Sequence, residues 1–410
     1  MIKLLQINSR VNYGSVSRIA EQIGAMVIND GWESHIAYAR EMRESQSHLI
    51  KIGNSLSIIK HKLLTLLFDR HGLGSVTPTK KLIEEILSIQ PDIIHIHNIH
   101  GYYINYKLLF DFLHHYNKPV VWTMHDCWGI TGHCAHFMDV RCDRWKSGCN
   151  NCPQIHSYPC SLFVDNSKNN YKQKKNSFSN IERLTLVPVS DYLANQIRNS
   201  YLADKQIVVI KNGIDLSKFN INNNYSDIKE KYDINYDHIL LGVASIWTKS
   251  KGFNDFISFS KYLMRNECIV LLGVSRKQIK QLPNNIIGIE RTDNIEEMAK
   301  LYSMADCFVN LTYSDTYPTV NMEAIACGTP VITYRTGGSP EVITKSTGRV
   351  IEQGDFETLR RSINELRSID KGVIQHSCRQ YALSHFDKNI IFNKYLELYK
   401  YLLNSTTTTK

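Results

Sequence analysis

Two carboxylates close together in the chain, Asp315 and Glu323, bracket a Pro-Thr-Val step in Asp315-Thr-Tyr-Pro-Thr-Val-Asn-Met-Glu323. Pro318 suits the first turn of a helix and Gly328 suits a helix end. Asp315 is therefore expected in a loop, and Glu323 one to two turns into the following helix. The N–H groups of Thr319 and Val320 then have no intrahelical acceptor, and a helix start of this kind attracts a phosphate. A carboxylate accepts two hydrogen bonds from a diol, so acids beside a phosphate site suit hydroxyl-rich ligands. The plainer alternative is an acid favouring the helix dipole and a solvated glutamate. Lys251-Gly252 follows a predicted strand. A fixed ammonium there would stabilise the charge that develops on a departing diphosphate.

The first half carries other candidates. Asn12-Tyr13-Gly14-Ser15 joins a first strand to a first helix, and glycine permits close backbone approach to a ligand or serves an ordinary turn. His95-Ile-His97-Asn98-Ile-His100-Gly101 and His125-Asp126 each end a strand. His95 and His97 share a strand face, which suits a metal pair or, more commonly, hydrogen-bonded core histidines. Six of the ten cysteines lie between 127 and 160. Cys134, Cys142, Cys149 and Cys152 include one Cys-x2-Cys knuckle, and four thiolates can close a tetrahedral zinc site. Residues 129–151 have few aliphatics, and a metal would order them. Free thiols and redox function are the alternatives. Leu56–Arg70 reads as a basic amphipathic helix, and Lys168, Lys172, Lys174 and Lys175 form a second basic cluster. Both could meet an anionic membrane, or be a core-packing helix and a solvated loop.

Strands alternating with amphipathic helices must position these residues. The scheme runs through both halves and implies α/β architecture, with two parallel sheets covered on both faces. Ligands of such sheets bind at the carboxyl ends of the strands, where the motifs fall. The expected domains are 1–215, a linker at 216–236 rich in Asn, Asp, Tyr and Lys, 237–385, a C-terminal helix at 386–403, and a disordered tail at 404–410. Hydrophobic residues at 43% and charged residues at 21% exclude wholesale disorder. No apolar run approaches the roughly 20 residues of a bilayer span. The opening residues read as a buried strand and not as a leader. A cytoplasmic protein, working at the cytoplasmic face of the membrane if it docks there, is the expectation. A net charge of +9 suits anionic small substrates or lipid headgroups and does not by itself argue nucleic acid.

Acid-x7-acid followed by Ala-x-Ala-x-Gly-x-Pro-Val-Ile, then Gly337-Gly338-Ser-Pro-Glu341, resembles the signature of retaining glycosyltransferases of family 4, of GT-B fold. Lys211-Asn212-Gly213-Ile214-Asp215 and Lys251-Gly252 resemble further motifs of that family. The likeness spans nearly the whole chain and is strongest from 239 to 355. It implies two doubly wound Rossmann-like domains facing a cleft, with the last helix returning to the first domain. It implies that Asp315 holds hydroxyls of the transferred sugar and Glu323 the nucleotide ribose. Lys251 and the Thr319 and Val320 amides would hold the phosphates, with Gly14 and Ser15 facing the donor. His125 would be a polar contact at the reaction centre, and His100, Gly101 and Asp126 would lie on the acceptor side. The family usually has Glu where this chain has Asp315, and Arg where it has Ile246; Lys249 is the candidate for that charge. Some glycosyltransferases of bacterial polysaccharide clusters resemble the chain in a Cys-rich insert after His-Asp. The implied activity is metal-independent transfer from a UDP- or GDP-sugar to a saccharide or lipid-linked acceptor, in surface polysaccharide synthesis. The competing readings are a nucleotide-sugar 2-epimerase on the same fold and a zinc-module nucleic-acid binder; no basic-aromatic stripe flanks the knuckle to favour the latter.

Overall fold

The computed structural model describes residues 1–405 and divides them into two compact units, 1–211 with 391–405, and Asn212–Ile390. The first holds strands β1 (Lys3–Ile7), β2 (Glu33–Tyr38), β3 (His48–Lys51), β4 (Ile93–Ile96), β5 (Val120–Met124), β6 (Leu184–Pro188) and β7 (Gln206–Ile207). Its helices are α1 (Ser15–Asn29), α2 (Ser55–Phe68), α3 (Val76–Ile89), α4 (Tyr106–Tyr116), α5 (Ser167–Ser179) and α6 (Asp191–Arg198). The second holds α7 (Ser226–Lys231), β8 (His238–Val243), α8 (Phe253–Phe259), β9 (Glu267–Leu272), α9 (Arg276–Ile279) and β10 (Ile286–Ile289). It continues through α10 (Ile295–Met304), β11 (Cys307–Asn310), α11 (Thr319–Ala326), β12 (Val331–Tyr334), β13 (Gly348–Ile351), α12 (Phe356–Arg367) and α13 (Lys371–His385). The last helix, α14 (Lys388–Asn404), lies mostly in the first unit.

Each unit has one wholly parallel sheet, in the order β3-β2-β1-β4-β5-β6-β7 and β10-β9-β8-β11-β12-β13. Both orders start from a central strand, run outward one way, then jump back and run the other way. The jump falls between β1 and β4 in the first sheet and between β8 and β11 in the second. Loops leaving the two strands at the jump diverge and open a crevice at their carboxyl ends.

In the first unit, α1 turns Ile19, Ile23 and Val27 onto Leu4 of β1 and Ile93 of β4. Helix α14 joins the same core through Phe392, Tyr395, Leu396, Tyr399 and Leu402. Its polar tips fix its register. Tyr399 Oη lies 2.6 Å from His95 Nδ1, and Tyr395 Oη 3.0 Å from Thr123 Oγ1. The other ring nitrogen of His95 meets Thr123 at 2.7 Å, and His97 meets Gln6 Oε1 at 2.9 Å. Both are core histidines, His95 with both ring nitrogens paired and His97 with only Nε2 paired, and burial drives the pKa of each well below the ordinary value.

Two expected boundaries move. Residues 216–236 are not a free linker: α7 lies within them, Ile228 and Ile234 are buried, and Lys231 pairs with Asp293 and Glu297 at 2.7 and 2.6 Å. Asn404 ends α14, and Ser405 N still donates to Tyr401 O, so these residues continue the helix end. The rest of the expected disordered tail, 406–410, lies outside the described residues. Among the described residues, no helix is long and apolar enough to cross a membrane.

Candidate active site

In the second unit the crevice between β8 and β11 is built by two loops tied together. Gly252, at φ +77°, packs so closely on β11 that a Cβ there would lie 2.2 Å from Leu311 O. No other residue fits. Tyr313 N donates to Ser250 O at 2.8 Å, and Thr248 caps the turn that carries Lys251. This clamp brings Lys251 Nζ within 2.9 Å of Asp315 Oδ2 and 3.3 Å of Ser314 O. An ammonium has three N–H groups, and these contacts use two of them. Asp315 is held in turn: Oδ1 accepts from Tyr317 N at 3.2 Å, and its carbonyl accepts from Gly338 N at 3.4 Å, which ties in the loop after β12.

Pro318 is the N-cap of α11, so Thr319 and Val320 open the helix and their amides have no acceptor within it. Helix α11 is buried almost all round. Asn321 is pinned by Asn310 at the end of β11, 2.8 Å away. Glu323 is buried, and its Oε2 accepts from Tyr302 Oη of α10 at 2.9 Å. Lys251, Asp315, the opening of α11 and Glu323 thus gather around one strand end. Lys249 stands exposed on the Lys251 turn, and Ile246 is 71% exposed where the family signature has Arg. Sequence reading missed Tyr302, Asn310 and Asp255, which accepts from Tyr313 Oη and Tyr334 Oη at 2.7 Å each. Tyr302 falls on the apolar stripe of α10 and reads as core; nothing in its spacing marks it as the partner of an acid.

The first unit has its own cluster at the carboxyl ends of β4 and β5. A small pocket is lined by His97, Asn98, His100, His125, Asp126 and Trp128, among others. His100 Nε2 meets Asp126 Oδ2 at 2.6 Å, and Asp126 Oδ1 accepts from Trp128 N at 2.8 Å. Burial opposes the charge on Asp126, yet the His100 imidazole beside it holds the carboxyl well below its usual range. Asp126 is therefore committed to His100 and the Trp128 amide. His125 stacks on His97 with centroids 5.8 Å apart, and burial lowers its pKa to about 4, so it is neutral near pH 7. Tyr158 Oη lies 3.0 Å from His100 Nδ1, a partner the sequence does not announce across 58 positions. Gly101 has φ +132°, and its carbonyl accepts from Arg40 at 2.6 Å. Gly14, at φ +85°, caps α1 beside Ser15, and a Cβ there would meet no atom within 4 Å.

The cysteine segment differs from expectation. Cys134 and Cys152 hydrogen-bond to each other, and Cys149 Sγ accepts from Gly132 N at 3.1 Å. Among the described residues, no group of three or more His, Cys, Asp or Glu is placed to hold a metal ion. Cys134, Cys142, Cys149 and Cys152 therefore do not form the expected four-thiolate set. The segment has a core that a search for aliphatics overlooks: Trp128, Phe137 and Trp145 are buried, the last two stacked at 4.9 Å. Lys174, expected in an exposed basic cluster, is buried as well. Its Nζ sits 3.5 Å from the Trp128 ring centroid and donates to the carbonyls of Trp128 and Thr131.

Comparison with known proteins agrees with this geometry. The family described as Glycosyltransferase Family 4 matches residues 16–218, and Glycosyl transferases group 1 matches 226–384. The chain is similar to the colanic acid biosynthesis glycosyl transferase WcaC of Escherichia coli (strain K12). The two are 25% identical over 431 residues, covering 98% of this chain and 100% of that one. It is 28% identical over 228 residues to the N,N'-diacetylbacillosaminyl-diphospho-undecaprenol alpha-1,3-N-acetylgalactosaminyltransferase of Campylobacter jejuni. That match covers 52% of this chain and 58% of the other. The crystal structure of Anabaena HepE in complex with UDP superposes with a TM-score of 0.66 at 15% identity, over 97% of this chain and 99% of that one. The chain belongs to the family 4 glycosyltransferases and has their GT-B fold.

Proposed function

We propose that this glycosyltransferase moves a sugar from a nucleotide-sugar donor to a saccharide or lipid-linked saccharide, with retention at the anomeric carbon, in surface polysaccharide synthesis at an anionic membrane surface. The observation that carries the reading is the Lys251–Asp315 pair, 2.9 Å apart at the jump between β8 and β11 and beside the opening of α11. The names of the colanic acid enzyme and of the undecaprenol-dependent enzyme support the acceptor class, and the HepE complex supports a nucleoside diphosphate.

The donor diphosphate takes the third N–H of Lys251 and the amides of Thr319 and Val320. Asp315 accepts from the sugar hydroxyls and Glu323 from the ribose. As the bond from the anomeric carbon to the phosphate oxygen breaks, its electron pair passes to the diphosphate, where Lys251 stabilises it. The acceptor oxygen bonds to the anomeric carbon on the same face. Its proton goes to a diphosphate oxygen, so no added base is consumed. In this reading the cation at the phosphates is Lys251 and not a divalent ion, and His125, His100 and Asp126 serve the acceptor side.

The test is a thermal-unfolding screen of UDP-, GDP-, ADP- and dTDP-sugars, followed by product analysis in EDTA. Ligand at a hundred times its Kd adds about 2.7 kcal/mol, a shift of roughly 5–10 °C for a unit of this size. One nucleotide class should protect, and the product anomer should match the donor. No protection by any class, or an inverted anomer, overturns the proposal.

A further inference from the structure

Helix α2 is inside out. Its buried side chains are His61 and Thr65. His61 Nε2 accepts from Gly72 N at 3.0 Å, and its ring packs edge-on to Tyr102. The opposite face exposes Leu56, Ile59, Leu63 and Leu67, spaced i, i+3, i+7 and i+11 as one stripe. Lys60 and Lys62 are exposed on either side of it. The stripe continues onto a second segment. Leu162 N donates to Leu66 O at 2.8 Å, and Leu162, Phe163 and Val164 are all exposed, Phe163 to 79%. Large apolar groups brought together in water from two segments mark an interaction surface.

Charge says what covers it. The only acid in α2 and its C-cap is Asp69, which is buried against His133. Asp69 also accepts from Asn166 N, which holds the start of α5 at the end of α2. Helix α5 exposes Lys168, Lys172 and Lys175 along one face. The only acid from 161 to 179 is Asp165, which accepts from the amides of Cys152 and Ser167. An apolar stripe rimmed by five exposed lysines, against one exposed acid held by two amides, matches an anionic phospholipid surface, in which leucine and phenylalanine enter the acyl boundary and the ammonium groups meet phosphates.

We infer that Leu56, Ile59, Leu63 and Leu67 of α2, with Phe163 of the adjoining loop, form the face by which this chain docks on an anionic bilayer. The inference deepens the membrane part of the proposed function and rests on it. The inner side of the same helix reaches the histidine layer beside His100, so docking would set that layer next to the lipid that carries an acceptor.

The full-length chain is tested by co-sedimentation with vesicles of phosphatidylcholine alone, and of equal parts phosphatidylcholine and phosphatidylglycerol. Wild type should bind the second and not the first. Leu63→Glu and Phe163→Glu should each weaken binding about tenfold or more. Lys60→Glu with Lys62→Glu should weaken it about fivefold per lysine, with the difference from wild type shrinking at high salt. All three variants should keep wild-type unfolding temperature and wild-type protection by nucleotide. Binding to neither vesicle overturns the docking face while nucleotide protection leaves the glycosyltransferase reading standing. Unchanged binding in Leu63→Glu and Phe163→Glu also overturns it. So does a dimer in sedimentation velocity that Leu63→Glu splits, because the face would then be covered by a second copy.

Discussion

Lys251→Ala separates a structural ion pair from a catalytic one. The Lys251 and Asp315 side chains are 38% and 21% exposed, so solvent screens their 2.9 Å contact. A pair of that exposure contributes about 0.2–1 kcal/mol to folding. Its loss should lower the unfolding temperature by no more than about 4 °C, given roughly 2–4 °C per kcal/mol at this size. In the reaction the same ammonium faces charge that is absent from the ground state and grows as the diphosphate leaves. Removing a donor so placed costs about 2.7–4 kcal/mol, or roughly a hundred- to thousandfold in kcat. The assay is release of nucleoside diphosphate from the donor that protects best, with donor-alone hydrolysis as the fallback since the same bond breaks. The expected result is a kcat lowered by that factor with donor KM moved only a few-fold. A raised KM with kcat intact would mean that Lys251 binds ground and transition states alike, and the mechanism would fail. A large fall in unfolding temperature would make the pair structural.

Glu323→Gln keeps an acceptor for Tyr302 but loses the charge, so donor affinity should fall by about 1.5–3 kcal/mol, the scale of a hydrogen bond to a charged group, with stability unchanged. Glu323→Ala should show that loss together with about 1–3 kcal/mol of destabilisation, because the buried Tyr302 hydroxyl loses Glu323 as its acceptor; donor affinity in Glu323→Gln within twofold of wild type, by calorimetry, removes Glu323 from the site. Asp315→Asn should weaken the sugar nucleotide by a similar amount and leave bare nucleoside diphosphate bound as well or better, since Lys251 no longer shares its charge; parallel losses would refute the sugar contact. Burial lowers Lys174 to about 7, below its unfolded value near 10.4, so the unfolded chain holds the extra proton between those limits and this group's contribution to stability rises with pH there. From pH 7.5 to 8.5, urea unfolding of wild type should gain about 1 kcal/mol relative to Lys174→Met, and a constant gap between the two would mean that Lys174 keeps its proton in the fold and would refute the lowered pKa.

The second unit was the more legible half for a physical reason. Its site is assembled from two short stretches, 248–252 and 310–323, that leave neighbouring strands, so the chemistry is local in sequence. Helix α1 and strands β5, β10 and β12 are each an apolar stripe or run ended by a turn, the pattern that periodicity detects. Helix α5 escaped the same test because its buried side includes Ser167, Asn170, Lys174 and Ser177, and a search for apolar spacing passes over a polar inner face. For helix α2 the spacing left a membrane-facing and a core-packing reading open, because an apolar stripe looks the same in sequence whichever way it faces; in the structure the stripe points to water. The cysteine segment read as coreless because only aliphatics were counted and the aromatics around Trp145 were not.

What remains illegible shares one feature: a polar group whose partner is remote in sequence and typical of core. Glu323 depends on Tyr302, His95 on Tyr399 across 304 positions, and Asp126 on His100 across 26. A motif names the group that meets substrate, while the residue that orients it carries no spacing signal, because the fold alone brings the two together. Buried charge makes that hidden partner necessary. Glu323 and Asp126 would each lose hydration without return unless a hydroxyl, an imidazole or an amide replaced it. Each buried acid in a sequence-derived site therefore implies at least one unseen donor. Removing that donor through Tyr302→Phe should weaken donor binding through Glu323 without touching the donor, an effect that Glu323→Ala should abolish in a double-mutant cycle.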